Sequence, residues 1–248
     1  MKKTKIIVPA LGLLLLSTAA SVTGTVAWFS ANATVTASSM TVKANVGANL
    51  FIGKGQLALA DLVATSIDDL GVTNTALHPA TMSDSAGTVT VQFASAYSVA
   101  PTVSTAGTAS AFEDVGTLTV SAATDATSPA HDLDEYCAYS FVTIGRKQSD
   151  ATTYGLTTTC SITLGANSNL NKSLRAGVII NNAFYESADA NTATGTATLT
   201  FDAISGLSDN TAYNACLVIW FEGSDSDCTT NNAVNLANNV ASWTFVAA

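Results

Sequence analysis

The chain has 248 residues, of which 48% are hydrophobic and 11% charged, and its formal net charge at pH 7 is −9. A chain of this length can bury the core of one large all-β domain, and its apolar fraction argues against intrinsic disorder. The nine Lys and Arg residues form no basic patch, which excludes a nucleic-acid-binding surface of the usual kind. Low charge beside many Thr, Ser, Ala and Asn residues is typical of an exposed, β-rich surface protein.

The N-terminus has the layout of a secretory signal peptide. Three lysines precede an apolar run over residues 6–16, and Thr25-Val26-Ala27 has the small-x-small pattern of a cleavage site. We predict cleavage between Ala27 and Trp28, and an extracellular location at the cell surface or in a matrix. Signal peptidase is the partner expected during export, and only the uncleaved segment is expected to contact the membrane. An uncleaved membrane anchor over residues 6–29 is one alternative, and a pilin-like helix is another. Thr18-Ala19-Ala20 offers an earlier cleavage site.

The four cysteines all lie after residue 136, and an even number in an exported protein indicates disulfides. Residues 136–145 and 154–165 have the composition of two strands around a polar turn. Folding about that turn places Cys137 opposite Cys160 and leaves Cys216 to pair with Cys228, and each bridge would stabilise the fold by about 3 kcal/mol. The alternative, four buried free thiols, fits a reducing compartment.

Alternating hydroxyl and apolar residues predict strands along most of the chain. Three such segments each follow a glycine, interpreted as a turn residue: Thr88–Phe93 after Gly87, Thr117–Val120 after Gly116, and Thr196–Phe201 after Gly195. Further strands are predicted over residues 33–43, 174–180, 212–221 and 240–246. The leucine spacing of residues 56–70, ending at Gly71, predicts one short helix.

These elements predict an all-β protein, a single jelly-roll-like β-sandwich of about nine strands. Its expected organisation is a signal peptide over residues 1–27, an N-terminal segment over 28–46 and a sandwich domain over 47–248.

Candidate chemistry is sparse, and we predict that the chain is not an enzyme. It has no HExxH zinc motif, no GxSxG nucleophile motif and no dinucleotide-binding fingerprint. Glu222, Asp225 and Asp227 alternate in a short acidic stretch and predict a calcium site, since calcium prefers several oxygen ligands. The alternative there is an exposed acidic turn. No other cofactor is expected.

Two further stretches of the sequence offer residues that could bind a metal or lie on the surface. The stretch from His131 to Glu135 combines an imidazole with three carboxylates, but its position after Ser128-Pro129 is also typical of a solvated turn. His78 precedes a proline and is interpreted as a loop residue.

The two ends of the predicted mature chain resemble one known family. Ala27–Asn32, followed by Ala33–Ala37 and Met40–Val42, is similar to the start of the TasA/camelysin-like family, exported proteins of Gram-positive bacteria that are processed by a dedicated signal peptidase. The C-terminal stretch Cys216–Gly223 and the closing Trp243–Phe245 resemble a clostridial branch of it. The cysteine pairs, the low charge and the scarcity of lysine depart from better-known members.

The resemblance implies a jelly-roll subunit that polymerises with copies of itself into extracellular fibres of a biofilm matrix. It also implies donor-strand exchange, in which the N-terminal segment enters the sheet of a neighbouring subunit. Here Val35, Met40, Val42 and Val46 are the side chains expected to fill the neighbour's pockets. Head-to-tail addition of this kind does not close, so it gives filaments. The alternative is that residues 33–43 form the first strand of their own sandwich.

Two functions of other classes remain as alternatives. One is a monomeric, calcium-stabilised surface adhesin or carbohydrate-binding module, in which Trp220 and Trp243 would stack on sugars, although strand alternation favours both as core residues. The other is a camelysin-like surface protease, for which the sequence offers no ligand set.

Overall fold

A computed structural model describes residues 40–44, 49–71, 76–102, 105, 107–126, 132–150, 152–164, 169–230, 234–235 and 240–248. The predicted signal peptide, the cleavage site at Ala27 and Trp28, and Val35 lie outside the described residues. Val46 and His131 also lie outside them.

The described residues form strands joined by turns, with three short 3-10 segments at Leu59–Asp61, Leu133–Glu135 and Asn169–Ser173. The strands are β1 (Thr41–Ala44), β2 (Leu50–Lys54), β3 (Ser66–Ile67), β4 (Ala76–Leu77), β5 (Thr81–Ser85), β6 (Thr88–Val99), β7 (Thr108–Leu118), β8 (Ala123–Asp125), β9 (Ala138–Arg146), β10 (Thr153–Thr163), β11 (Leu174–Ile180), β12 (Ala183–Glu186), β13 (Thr196–Thr200), β14 (Ile204–Ser208), β15 (Ala212–Phe221), β16 (Val234–Asn235) and β17 (Val240–Ala247).

The strands build three stacked sheets. An outer sheet has the order β13-β10-β17-β1-β3, with β14 also paired to β10, and a middle sheet has the order β12-β11-β15-β9-β2. A third sheet has the order β5-β6-β7-β8, while β4 and β16 pair separately. A first core fills the space between the outer and middle sheets, and a second core lies between the middle and third sheets.

The middle sheet is buried on both faces because alternate residues of its strands enter different cores. Leu217 and Ile219 of β15 belong to the first core, whereas Val218 and Trp220 belong to the second. A strand covered on both faces has no polar side to show, which explains the nearly continuous apolar run at the end of β15.

The all-β fold class predicted from the sequence is confirmed. Residues 174–180 and 212–221 form β11 and β15 with the predicted bounds, and the predicted strand at residues 240–246 is β17. Stacked sheets around apolar cores are consistent with a sandwich, to which the third sheet adds a further layer.

The predicted hairpin around the cysteines is wrong. β9 pairs with β15 and β2 in the middle sheet, whereas β10 pairs with β13, β14 and β17 in the outer sheet. The chain is therefore in the middle sheet at Arg146 and in the outer sheet at Thr153, so it crosses between layers from β9 to β10. A layer-crossing turn has the same polar composition as a hairpin turn, so the sequence does not distinguish them.

The predicted helix over residues 56–70 is also wrong. Only Leu59–Asp61 forms a single 3-10 turn, and the backbone bonds elsewhere instead. The Leu57 amide donates to Thr143 Oγ1 at 2.9 Å, and the Ile52 amide donates to the Ala64 carbonyl at 2.8 Å. Leu57 and Leu62 instead lie against Gly53 of the edge strand β2, within 3 Å of where a Cβ would be.

Two of the three glycines predicted to be turn residues are turn residues, and one is not. Gly87 and Gly195 adopt φ of 78° and 82°, a left-handed conformation that favours glycine. Gly116 lies inside β7, and a Cβ placed there would lie 2.4 Å from the backbone oxygen of Thr124. Its small size therefore allows β8 to approach.

Candidate functional site

The predicted donor segment, residues 28–46, contains β1, which is a strand of the outer sheet. β1 runs parallel to β17, with Val42 beside Trp243 and Ala44 beside Phe245. On its other side it pairs with the two-residue strand β3. β1 therefore lies between the C-terminal strand β17 and the short edge strand β3.

The side chains of β1 and the residue before it fill the first core. Met40, Val42 and Ala44 are 3%, 0% and 6% exposed, and all three belong to that core. Backbone hydrogen bonds also hold β1 in place. The Ala44 amide donates to the Thr65 carbonyl at 2.7 Å, and the Leu70 amide donates to the Met40 carbonyl at 2.9 Å. Within one chain, residues 40–44 thus pair in cis, as the alternative interpretation predicted for them.

The outward face of β1 is accessible. Lys43 is exposed and lies beside Thr244 in the ladder, while Thr41 lies beside Ser242. Neighbouring strands in a sheet are about 4.7–4.9 Å apart, so these pairs offer positions for chemical cross-linking across the β1–β17 boundary.

The four cysteines are free and buried, so the two predicted disulfides are not formed. Cys137 and Cys216 belong to the second core, whereas Cys160 and Cys228 belong to the first. Each predicted pair therefore has one member in each core, with the middle sheet between the cores. This placement follows from the layer crossing between β9 and β10.

Burial makes these thiols weak acids. It raises the pKa of Cys228 to about 11 and raises the pKa values of Cys137, Cys160 and Cys216 above their ordinary range. Because the thiolate is the nucleophile and the metal ligand, protonated buried thiols are unreactive.

Glu222, from the predicted calcium site, is buried and hydrogen-bonded within the chain. Its Oε1 accepts from Thr81 Oγ1 at 2.8 Å and from Ser224 Oγ at 2.7 Å, and its Oε2 accepts from Trp220 Nε1 at 3.0 Å. These bonds link the end of β15 to the start of β5, so Glu222 has a clear role in joining the middle and third sheets.

The other two predicted calcium ligands lie near cations of the chain. Asp225 Oδ2 is 3.7 Å from Arg175 Nη2, and Asp227 Oδ1 is 3.6 Å from Lys172 Nζ. Burial raises the pKa of Asp225, and a hydrogen bond with Asp189 adds to this shift. In the described part of the chain, no group of three or more His, Cys, Asp or Glu residues has a metal-binding arrangement. Calcium binding here stays a prediction.

Arg175 is the centre of this carboxylate cluster. Its Nη1 lies 2.6 Å from Glu186 Oε1 and 4.0 Å from Glu222 Oε2, and its Nε donates to Asp189. Burial opposes the charge of Arg175, but the hydrogen bonds with Glu186 and Asp189 outweigh it and raise its pKa.

Sequence reasoning missed a second ion pair. Asp209 Oδ1 lies 2.5 Å from Arg146 Nε, and its Oδ2 accepts from the Thr152 amide at 3.1 Å and from Thr152 Oγ1 at 2.7 Å. The hydrogen bond from Arg146 is the main cause that lowers the pKa of Asp209 to about 2. The chain has only two arginines, and both bind carboxylates. Their small number was the one sequence feature that singled out Arg146 as a residue with a specific partner.

The remaining sequence candidates take structural positions. His78 packs against the ring of Tyr136 with centroids 5.4 Å apart. Trp220 and Trp243 are fully buried, so neither presents a face to a sugar. This confirms them as core residues.

No family model, curated protein or solved structure matches the chain. Over the described residues, the chain lacks a helix with the length and hydrophobicity needed to cross a bilayer.

Proposed function

We propose that this chain is a secreted structural subunit that polymerises into extracellular fibres by exchange of β1. The proposal is supported by the way β1 is bound in the outer sheet: it forms a parallel ladder with β17, and the Met40 and Val42 side chains are buried. A strand of this kind can be supplied by its own chain or by a second copy with the same contacts.

The free-energy difference between β1 bound in its own chain and β1 bound in a second copy is small. Each of the Met40 and Val42 side chains stabilises the sheet by about 1.5–3 kcal/mol through burial, and this contribution is the same in cis and in trans. The balance between the two states therefore depends on protein concentration. If β1 of each subunit enters the next one, the contact is heterologous and the product is a filament.

The experiment is a disulfide lock between β1 and β17. Lys43 and Thr244 are ladder partners, and the separation of adjacent strands falls in the Cα range that a disulfide requires. We expect the mature Lys43→Cys/Thr244→Cys chain, oxidised as a monomer, to form no fibres by electron microscopy, and reduction to restore them.

The same variant can be oxidised after assembly. Exchange places residue 43 of one subunit beside residue 244 of the next, so oxidised fibres should run as covalent multimers on a non-reducing gel. The single variant Lys43→Cys is the control for nonspecific cross-linking. Fibre formation by the locked monomer at the wild-type rate, or fibres that release only monomers after oxidation, would overturn the proposal.

A further inference from the structure

Two fully buried polar atoms of the outer sheet have no hydrogen-bond partner in the described part of the chain. They are Nε1 of Trp243, in β17, and Oγ1 of Thr158, in β10. Proteins normally pair buried polar atoms with protein groups or with ordered water, because an unpaired donor or acceptor loses its bonds to bulk water and gains nothing in return. These two atoms therefore indicate a bound ligand inside the protein.

The strand register brings the two side chains together. Trp243 is the ladder partner of Cys160, and Thr158 is the next residue of β10 on the same buried face. The ring of Trp243 also contacts the ring of Phe201, with centroids 5.5 Å apart. Phe201 directly follows β13, which pairs with β10 on the side opposite to β17. The two rings therefore meet over β10, which places the indole beside Thr158.

The surroundings favour water over a larger or charged ligand. Leu156 and Ile162 flank the site along β10, and both belong to the first core. An indole N–H only donates a hydrogen bond, whereas a threonine hydroxyl both donates and accepts. A water oxygen can accept from Trp243 while one of its hydrogens is donated to Thr158. The free thiol of Cys160 is a weak further partner, and a buried water needs two to four polar partners.

We propose that Trp243 Nε1 and Thr158 Oγ1 bind one buried water molecule in the first core. Tyr154 Oη, which also has no partner in the described structure, belongs to a different place, since it lies four residues from Thr158 and about 13 Å along β10. Its ring is 4.4 Å from the Arg146 guanidinium. The water site is formed by β10 and β17, which are not exchanged in the proposed function, so it does not depend on fibre formation.

NMR of the mature chain, labelled with ¹⁵N at tryptophan, tests the site. A rotating-frame Overhauser cross-peak between water and the Trp243 indole proton, opposite in sign to the diagonal, is expected for a long-lived bound water. Trp220 is the matched control within the chain, because its Nε1 donates to Glu222 Oε2 at 3.0 Å. Its indole proton should show no such cross-peak. Single Trp→Phe variants assign the signals.

The variant Thr158→Val keeps the side-chain shape and removes the hydroxyl, so the cross-peak at Trp243 should disappear. Oxygen-17 relaxation dispersion of water should then report one long-lived water fewer than in the parent, and this measurement is insensitive to exchange of hydroxyl protons. Thr157→Val is the matched control, since Thr157 is the exposed neighbour on the other face of β10. It should change neither readout. Thr158→Ser keeps the hydroxyl and should retain the water, which provides a second variant if Thr158→Val does not fold.

Three results would overturn the water site. The first is a Trp243 indole signal without a water cross-peak, which would indicate a direct bond to Thr158 or an unpaired donor. The second is a cross-peak that survives Thr158→Val. The third is an equal number of long-lived waters in the Thr158→Val and Thr157→Val variants.

Discussion

Asp209 fixes the point where the chain crosses from the middle sheet to the outer sheet. Its carboxylate binds Arg146 at the end of β9 and Thr152 just before β10. The neighbouring Asn210 exchanges two hydrogen bonds with Gln148 in the same connection. One turn between β14 and β15 therefore holds both ends of the layer crossing.

The Asp209 carboxylate makes the stability of this crossing dependent on pH. Its pKa is lowered from 3.8 in the free side chain to about 2 in the fold. A lowered pKa means that the stabilisation is complete above about 3.8 and is lost as the pH falls towards 2. We expect Asp209→Asn to lower the Tm by several degrees at pH 7, with the difference from the parent shrinking between pH 4 and pH 2 in calorimetry.

Asp61→Asn is the control for this pH dependence, because Asp61 is exposed on the 3-10 turn. Its Tm should follow that of the parent chain across the whole range. An Asp209→Asn difference that stays constant from pH 7 to pH 2 would contradict the assigned role of the ion pair.

At the scale of single elements, close packing constrains β7. Gly116 lies opposite Asp125 of β8, and a Cβ at this position would also lie 2.7 Å from Leu133 Cγ, in addition to its contact with Thr124. Leu133 belongs to the second core and has little room to move. The packing of β8 and Leu133 against β7 therefore requires a residue without a side chain at position 116.

Gly116→Ala should therefore destabilise the fold by about 1–3 kcal/mol through overpacking. The measurement is the midpoint of urea unfolding. Gly223→Ala is a matched control, since a Cβ there would meet Ala80 at an ordinary distance of 3.5 Å and should change the midpoint little. Equal destabilisation by the two variants would contradict the close approach of β8.

The strands were predictable from the sequence, whereas the layers were not. Alternation identified β6 and β13 because each has one solvent-facing side, and the apolar runs identified β11 and β15. The partner of each strand depends on contacts far along the chain, which local patterns do not encode. The same holds for the candidate site. The sequence predicts that Val42 fills a pocket, but it does not predict the parallel pairing of this strand with β17 of the same chain.

At the scale of the whole molecule, the layered architecture determines which cysteines can form disulfides. Export, if it occurs as predicted, would favour disulfides. However, Cys137 and Cys160 lie in different cores, as do Cys216 and Cys228. Burial and then the neighbouring Cys216 raise the pKa of Cys137 in the second core, and both of these thiols are free.

We therefore expect the purified, non-reduced chain to release four titratable thiols per molecule in denaturant and almost none in its native state. The native thiols should react slowly because they are buried and protonated, so labelling should be limited by unfolding. A thiol count in urea with and without prior reduction makes the measurement, and the reduced sample is its control. Fewer thiols in the non-reduced sample, with a cross-linked Cys137–Cys160 or Cys216–Cys228 peptide in mass spectrometry, would contradict the separation of the two cores by the middle sheet.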